Sequence, residues 1–129
     1  MKILDSDHWI ALLRGRLNLS GFLPPDEPLA ITSISVGELA YGAMTSHRPE
    51  KNLARLQTLL ADLVILPYDE TASLQFGVIK AHLEKQGMRL PDLDLQIASI
   101  ALAHQLPLVT HNTRHFRRIP NLILEDWLL

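Results

Sequence analysis

The chain has 129 residues, 47% of them hydrophobic, no cysteine and a formal net charge of −2. That length predicts one domain, 1–129, and the apolar fraction supports a packed core and argues against disorder. Without cysteine there can be no disulfide and no thiolate metal site, which suits a cytoplasmic setting. Acids at positions 5 and 7 interrupt any hydrophobic leader, and the longest apolar run, near 97–103, is far short of the ~20 residues of a membrane span.

Met1-Lys2-Ile3-Leu4 reads as a short buried strand, followed by a helix over about 7–13 with Ser6 or Asp7 as its N-cap. Prolines 24, 25 and 28 mark a loop, and Leu29–Thr32 is the second strand. Ser33 or Ser35 is expected to cap a helix to about Met44. A third helix starts near Pro49 and carries Leu53, Leu56 and Leu60 on one face. Residues 63–66 form the next strand. Asp69 caps a long helix ending at Gly87, with Ala72, Phe76, Ile79 and Leu83 facing inward. A further helix over about 93–105 is apolar on several faces, so it is expected between layers. Strands follow near Pro107–Val109 and Leu122–Leu124. Strands alternating with helices predict an α/β fold, a three-layer α/β/α sandwich with a central parallel sheet of four or five strands. The first strand is expected at its centre.

Three acids stand where a strand or loop gives way to a helix: Asp5, Glu38 and Asp94. In a parallel sheet such positions meet at the carboxyl edge of the strands. Acids drawn together repel one another and are relieved by protons or a cation, so raised carboxyl pKa values are expected without metal. Oxygen-only ligands favour a hard ion, Mg²⁺ with Mn²⁺ as the alternative. Such an ion can activate water and relieve charge on a phosphodiester. Each acid alone also fits a helix cap or an exposed helix position. Neutralising the three would take the remaining charge from −2 to +1. Basic residues cluster at Arg14 and Arg16 and at Arg114, Arg117 and Arg118, which are expected to hold an RNA backbone or simply to face solvent.

Four segments in order resemble a known family. Ile3-Leu4-Asp5-Ser6-Asp7, Ile34-Ser35-Val36-Gly37-Glu38-Leu39-Ala40-Tyr41-Gly42, Leu90-Pro91-Asp92-Leu93-Asp94-Leu95-Gln96-Ile97-Ala98 and Leu108-Val109-Thr110-His111-Asn112-Thr113-Arg114-His115-Phe116 are similar to the motifs of PIN-domain ribonucleases. The closest resemblance is to the VapC toxins of toxin–antitoxin pairs. It implies a Mg²⁺-dependent endoribonuclease with Asp5, Glu38 and Asp94 as metal ligands and catalytic residues. Asn112 falls at the fourth catalytic position, where its uncharged amide leaves open whether one or two ions bind. Ser6, Asp7 and Thr110 would support the site, with Arg14, Arg114 and Arg117 positioning substrate. Asp92 competes with Asp94, but the spacing to Ile97-Ala98 favours Asp94. The resemblance also implies RNA, including tRNA, as substrate, a VapB-like antitoxin as partner, and a homodimer. A mean hydropathy of +0.11, with leucine and tryptophan concentrated at 9–13 and 53–60, points to the homodimer as well.

The same residues allow other readings. Six histidines include no HExxH arrangement, and His111 and His115 are expected in a loop, so zinc is not expected. Asp5-Ser6-Asp7 mimics the opening of haloacid-dehalogenase phosphatases, but His8-Trp9 follows and no cap domain exists. Trp9 and Tyr41 could stack on bases or pack in a core or dimer. The alternative function is a catalytically weak PIN-fold module that binds RNA or a partner.

Overall fold

A computed structural model describes residues 1–129. In chain order it contains β1 (Lys2–Leu4), α1 (Ser6–Leu13), β2 (Leu29–Thr32), α2 (Ser33–Met44), α3 (Pro49–Ala61), β3 (Val64–Leu66), α4 (Glu70–Lys85), α5 (Asp92–His104), β4 (Leu108–Val109), α6 (Thr113–Phe116) and β5 (Leu124–Glu125). The five strands form one parallel sheet in the order β3-β2-β1-β4-β5, with Ile3 paired to Ala30 on one side and to Leu108 on the other. β1 is central, as its unbroken apolar run predicted. The chain first builds outward through β2 and β3, then crosses β1 to build β4 and β5. The topological switch therefore falls between β1 and β4, the place where open parallel sheets form their sites.

Two apolar layers sandwich the sheet. One gathers Ile3, Ala30 and Leu108 with Ala72, Ile79 and Leu83 of α4 and with Leu95, Ile97, Ala98, Ile100 and Ala101 of α5. The other gathers Leu4, Ile31 and Val109 with Trp9, Leu39, Leu56 and Trp127. Ile3 and Leu4 belong to different clusters because successive strand side chains face opposite ways. α5 is buried on several faces, as expected of a helix between the sheet and α4.

Two helix starts differ from the sequence reading for one reason: the strand runs straight into the helix. Asp5, the residue after β1, is itself the cap of α1 and accepts the Ser6 N–H at 2.9 Å. Thr32, the last residue of β2, caps α2 through the Ser35 N–H at 3.1 Å. The capping oxygen thus comes from the strand end, not from Ser6, Asp7, Ser33 or Ser35. α5 starts at Asp92 with Pro91 at the cap. The last strand lies at 124–125, because Ile123 and Glu125 supply the carbonyls bonded by Leu108 and Thr110. Asp69 does cap α4, and Gly87 follows that helix at φ +72°, a left-handed value suited to glycine.

The expected apolar surplus at 9–13 and 53–60 is largely spent inside the chain. Trp9 is buried and donates its indole N–H to the Leu4 carbonyl at 2.8 Å, while Leu53, Leu56 and Leu60 pack in the second cluster. That ground for a dimer is removed. Tyr41, in contrast, is exposed and belongs to no core. No helix is long and apolar enough to cross a membrane.

Candidate active site

The site is built on the carboxyl ends of β1 and β4. Asp5 leaves β1 with its backbone N–H bonded to the Val109 carbonyl at 2.8 Å. Its side chain is almost fully enclosed. One carboxylate oxygen accepts the Ser6 N–H, and the other accepts the Thr110 hydroxyl at 2.8 Å. Thr110 is fully buried at the end of β4, where its Oγ1 also accepts the Asn112 N–H at 3.1 Å. One hydroxyl thus fixes both the acid of β1 and the turn into α6.

Glu38 reaches the site from the second turn of α2, with Ser6 Oγ donating to its Oε1 at 3.4 Å. Asp94 comes from the first turn of α5. His115 Nδ1 lies 2.7 Å from Asp94 Oδ2, and the Asn112 amide nitrogen lies 3.5 Å from the same oxygen and 3.0 Å from the imidazole. Burial, followed by the charge of Asp7 and then that of Asp94, raises the Asp5 carboxyl above its ordinary range, although bonds from Thr110 and Ser6 pull the other way. Burial also raises Glu38, with further contributions from Asp5 and Asp94. Asp5, Glu38 and Asp94 therefore share one electrostatic neighbourhood.

No three acids or histidines close into a cage by themselves. The arrangement is open, which suits an ion that takes one or two carboxylates and keeps several waters. The buried Asp5 carboxylate and the half-buried Glu38 and Asp94 are all oxygen donors, the kind a hard divalent cation takes. The residues present thus fit Mg²⁺ or Mn²⁺.

Asp7 lies against the loop that follows β4. Its Oδ2 accepts the His111 N–H at 3.0 Å and stands 3.4 Å from Thr110 Oγ1. Burial alone would raise its pKa, but bonds from His8 and from the His111 backbone outweigh that and hold it below the ordinary value. Asp92 points away, paired with Lys80 at 3.0 Å on the surface. Arg14 lines a cavity of about 260 Å³ with Glu38, Ser46 and Arg55. Arg16, Arg114, Arg117 and Arg118 are exposed, and no arginine takes part in any of the chain's ion pairs.

Sequence reasoning missed His115 as a partner of Asp94. Its position one turn beyond Asn112 gave no sign of which helix α6 faces. It also missed Arg55, whose guanidinium donates to the Leu13 carbonyl at 2.8 Å beside the Glu38 cavity, because nothing in the sequence brings α3 to the end of α1. A buried histidine, His8, was not singled out at all.

A parallel sheet with an acid at the switch point, and two more acids delivered by flanking helices, defines a class. The chain belongs to the PIN-domain family, whose profile matches residues 2–122. Within it, the chain is similar to the ribonuclease VapC2 of Rickettsia felis, 39% identical over 81% of this chain and 78% of that one. It is also similar to the tRNA(fMet)-specific endonuclease VapC of Shigella flexneri, 38% identical over 91% and 85%. Among solved structures, VapBC2 from Rickettsia felis bound to a DNA fragment from their promoter superposes with a TM-score of 0.88 at 32% identity, covering 98% of each chain.

Proposed function

We propose that this chain is a Mg²⁺-dependent endoribonuclease, the toxin component of a VapBC-type pair, with Mn²⁺ able to replace Mg²⁺. The observation that carries the reading is Asp5: a buried carboxylate at the switch point, oriented by Thr110 and the Ser6 N–H and lying in the fields of Glu38 and Asp94. Asp5, Glu38 and Asp94 would hold the ion. When bound, a divalent cation supplies positive charge to the scissile phosphate and acidifies an attacking water. Thr110 and Ser6 keep Asp5 aimed at the site. Asn112 offers an amide to the cleft without adding charge. Arg14 on one side and Arg114, Arg117 and Arg118 near α6 supply unpaired cations for the RNA backbone, which positions substrate without reading bases.

The name of the Shigella relative supports tRNA as one substrate class. The solved VapBC complexes support a VapB-like antitoxin as partner. A homodimer is the proposed assembly, with exposed Leu74 and Val78 one turn apart on α4 as apolar surface to cover.

The test is cleavage of RNA across a magnesium titration by wild type and Asp5→Asn. Wild type should cut only with divalent cation. Asp5→Asn should lose more than the ~10–100-fold typical of outer ligand-supporting residues. Induced expression should arrest growth with wild type and not with Asp5→Asn. A second reading, an RNA- or partner-binding module with weak catalysis, draws on the amide at Asn112 and on His115 already occupying Asp94. Equal growth arrest by both proteins would favour it.

A further inference from the structure

We infer that His8 is a positioning residue for RNA cleavage, acting through Asp7 on the loop between β4 and α6, a role that rests on the ribonuclease reading above. His8 has no exposed surface. An aliphatic side chain could occupy such a position on α1, and a buried imidazole is costly unless both nitrogens find partners. Here both do. The Trp127 backbone N–H donates to Nε2 at 3.0 Å, so Nε2 is the nitrogen without a proton. The ring proton is therefore on Nδ1, which donates to Asp7 Oδ1 at 2.7 Å.

That bond decides how Asp7 faces. Its other oxygen accepts the His111 N–H at 3.0 Å. His111 lies between Thr110, whose hydroxyl holds Asp5, and Asn112, whose amide reaches Asp94. A continuous line of hydrogen bonds thus runs from the carboxy-terminal segment through His8 and Asp7 to the loop that presents these two groups. The segment is itself anchored: Trp127 stacks on Phe22 with ring centres 5.1 Å apart and donates its indole N–H to Glu125, which is paired with Lys2. Asp126 adds a second tie to the same loop through His111 Nδ1 at 2.9 Å. A side chain placed only to fill space would need neither a fixed tautomer nor an acid partner.

Two substitutions separate the two ends of the ring. The asparagine amide nitrogen takes the place of Nδ1, and the glutamine carbonyl oxygen takes the place of Nε2. His8→Gln keeps an acceptor for Trp127 but loses the donor to Asp7. Its kcat on an RNA oligonucleotide in Mg²⁺ should fall by about 10–100-fold with KM little changed. His8→Asn keeps the donor and should recover most of kcat, while melting at a lower temperature because the Trp127 N–H loses its partner. Asp7→Ala should lose as much rate as His8→Gln, and the double variant should be no slower than the slower single. Should His8→Gln fail to fold, Asp7→Ala and His8→Asn carry the test, the first losing rate and the second keeping it. Wild-type kcat in His8→Gln or in Asp7→Ala, losses that multiply in the double variant, or a kcat that simply tracks melting temperature across all variants would overturn the role. A wild type that binds RNA but never cuts it would strike down the ribonuclease reading, and this role with it.

Discussion

Asp5 shows how one residue can serve two ends. As the cap of α1 it stabilises a helix start, and as a buried acid it is the proposed ligand of a cation. The second role costs stability when no cation is present. Its folded-state pKa is raised from 3.8, and that of Glu38 from 4.5, so the folded protein holds these protons more tightly than the unfolded chain. Each group then stabilises the fold below its unfolded pKa, and that contribution is lost as pH rises through the raised folded value. Asn can still cap the helix but carries no charge. In chelator, the melting temperature of Asp5→Asn relative to wild type should therefore be more favourable near pH 7 than near pH 4. Thermal melts at the two pH values check this, and a relative stability unchanged across that range would show that Asp5 carries no net strain.

At the scale of elements, helix ends matter more than helix interiors. The Asp69 side chain accepts the Ala72 N–H at 3.0 Å and starts α4, which supplies Ala72, Ile79 and Leu83 to the core. Asp69→Ala should cost about 1 kcal/mol in urea unfolding, with no effect on cleavage, since α4 contributes none of the site acids. α6 and the residue pair after it have the opposite balance. Phe116 anchors this short helix in the core, while Arg117 and Arg118 lie free on its surface. Replacing both with Ala should weaken RNA binding and flatten its salt dependence. The log–log slope should fall by about 1–2, at roughly 0.7 per contact for single strands, with little change in stability. Binding isotherms at several salt concentrations measure the slope directly. An unchanged slope would place the RNA elsewhere.

For the whole molecule, the parallel sheet determines what can meet. The crossing of β1 between the two halves of the sheet opens a site between β1 and β4, and the helices before and after β4 bring Asp94 and His115 to it. The same packing leaves Leu74 and Val78 outside, 67% and 66% exposed on one face of α4. If that face pairs two copies, sedimentation should give twice the 14.5 kDa chain mass at micromolar concentration, and Leu74→Lys with Val78→Lys should return the single mass. A chain that already sediments as a monomer, or a double variant that stays dimeric, would assign those side chains no part in assembly.

The sequence by itself determined the alternation of strands and helices and the central place of β1. These rest on local signals: apolar runs, caps such as Asp69, and the glycine at 87. It also marked Asp5 and Glu38, because positions where a strand gives way to a helix converge wherever the sheet is parallel, while Thr110 was implied by the family resemblance. Only the tertiary structure decided that Asp5 and Thr32 are caps, since a cap depends on where hydrogen bonding passes from strand to helix. Only it joined His115 to Asp94, Arg55 to the end of α1, and His8 to Trp127 across 119 positions of chain. It also decided Trp9 for the core, out of the core, dimer and base-stacking roles its sequence allowed. Contacts of that kind follow from how layers pack, and a single sequence carries no periodicity that records them.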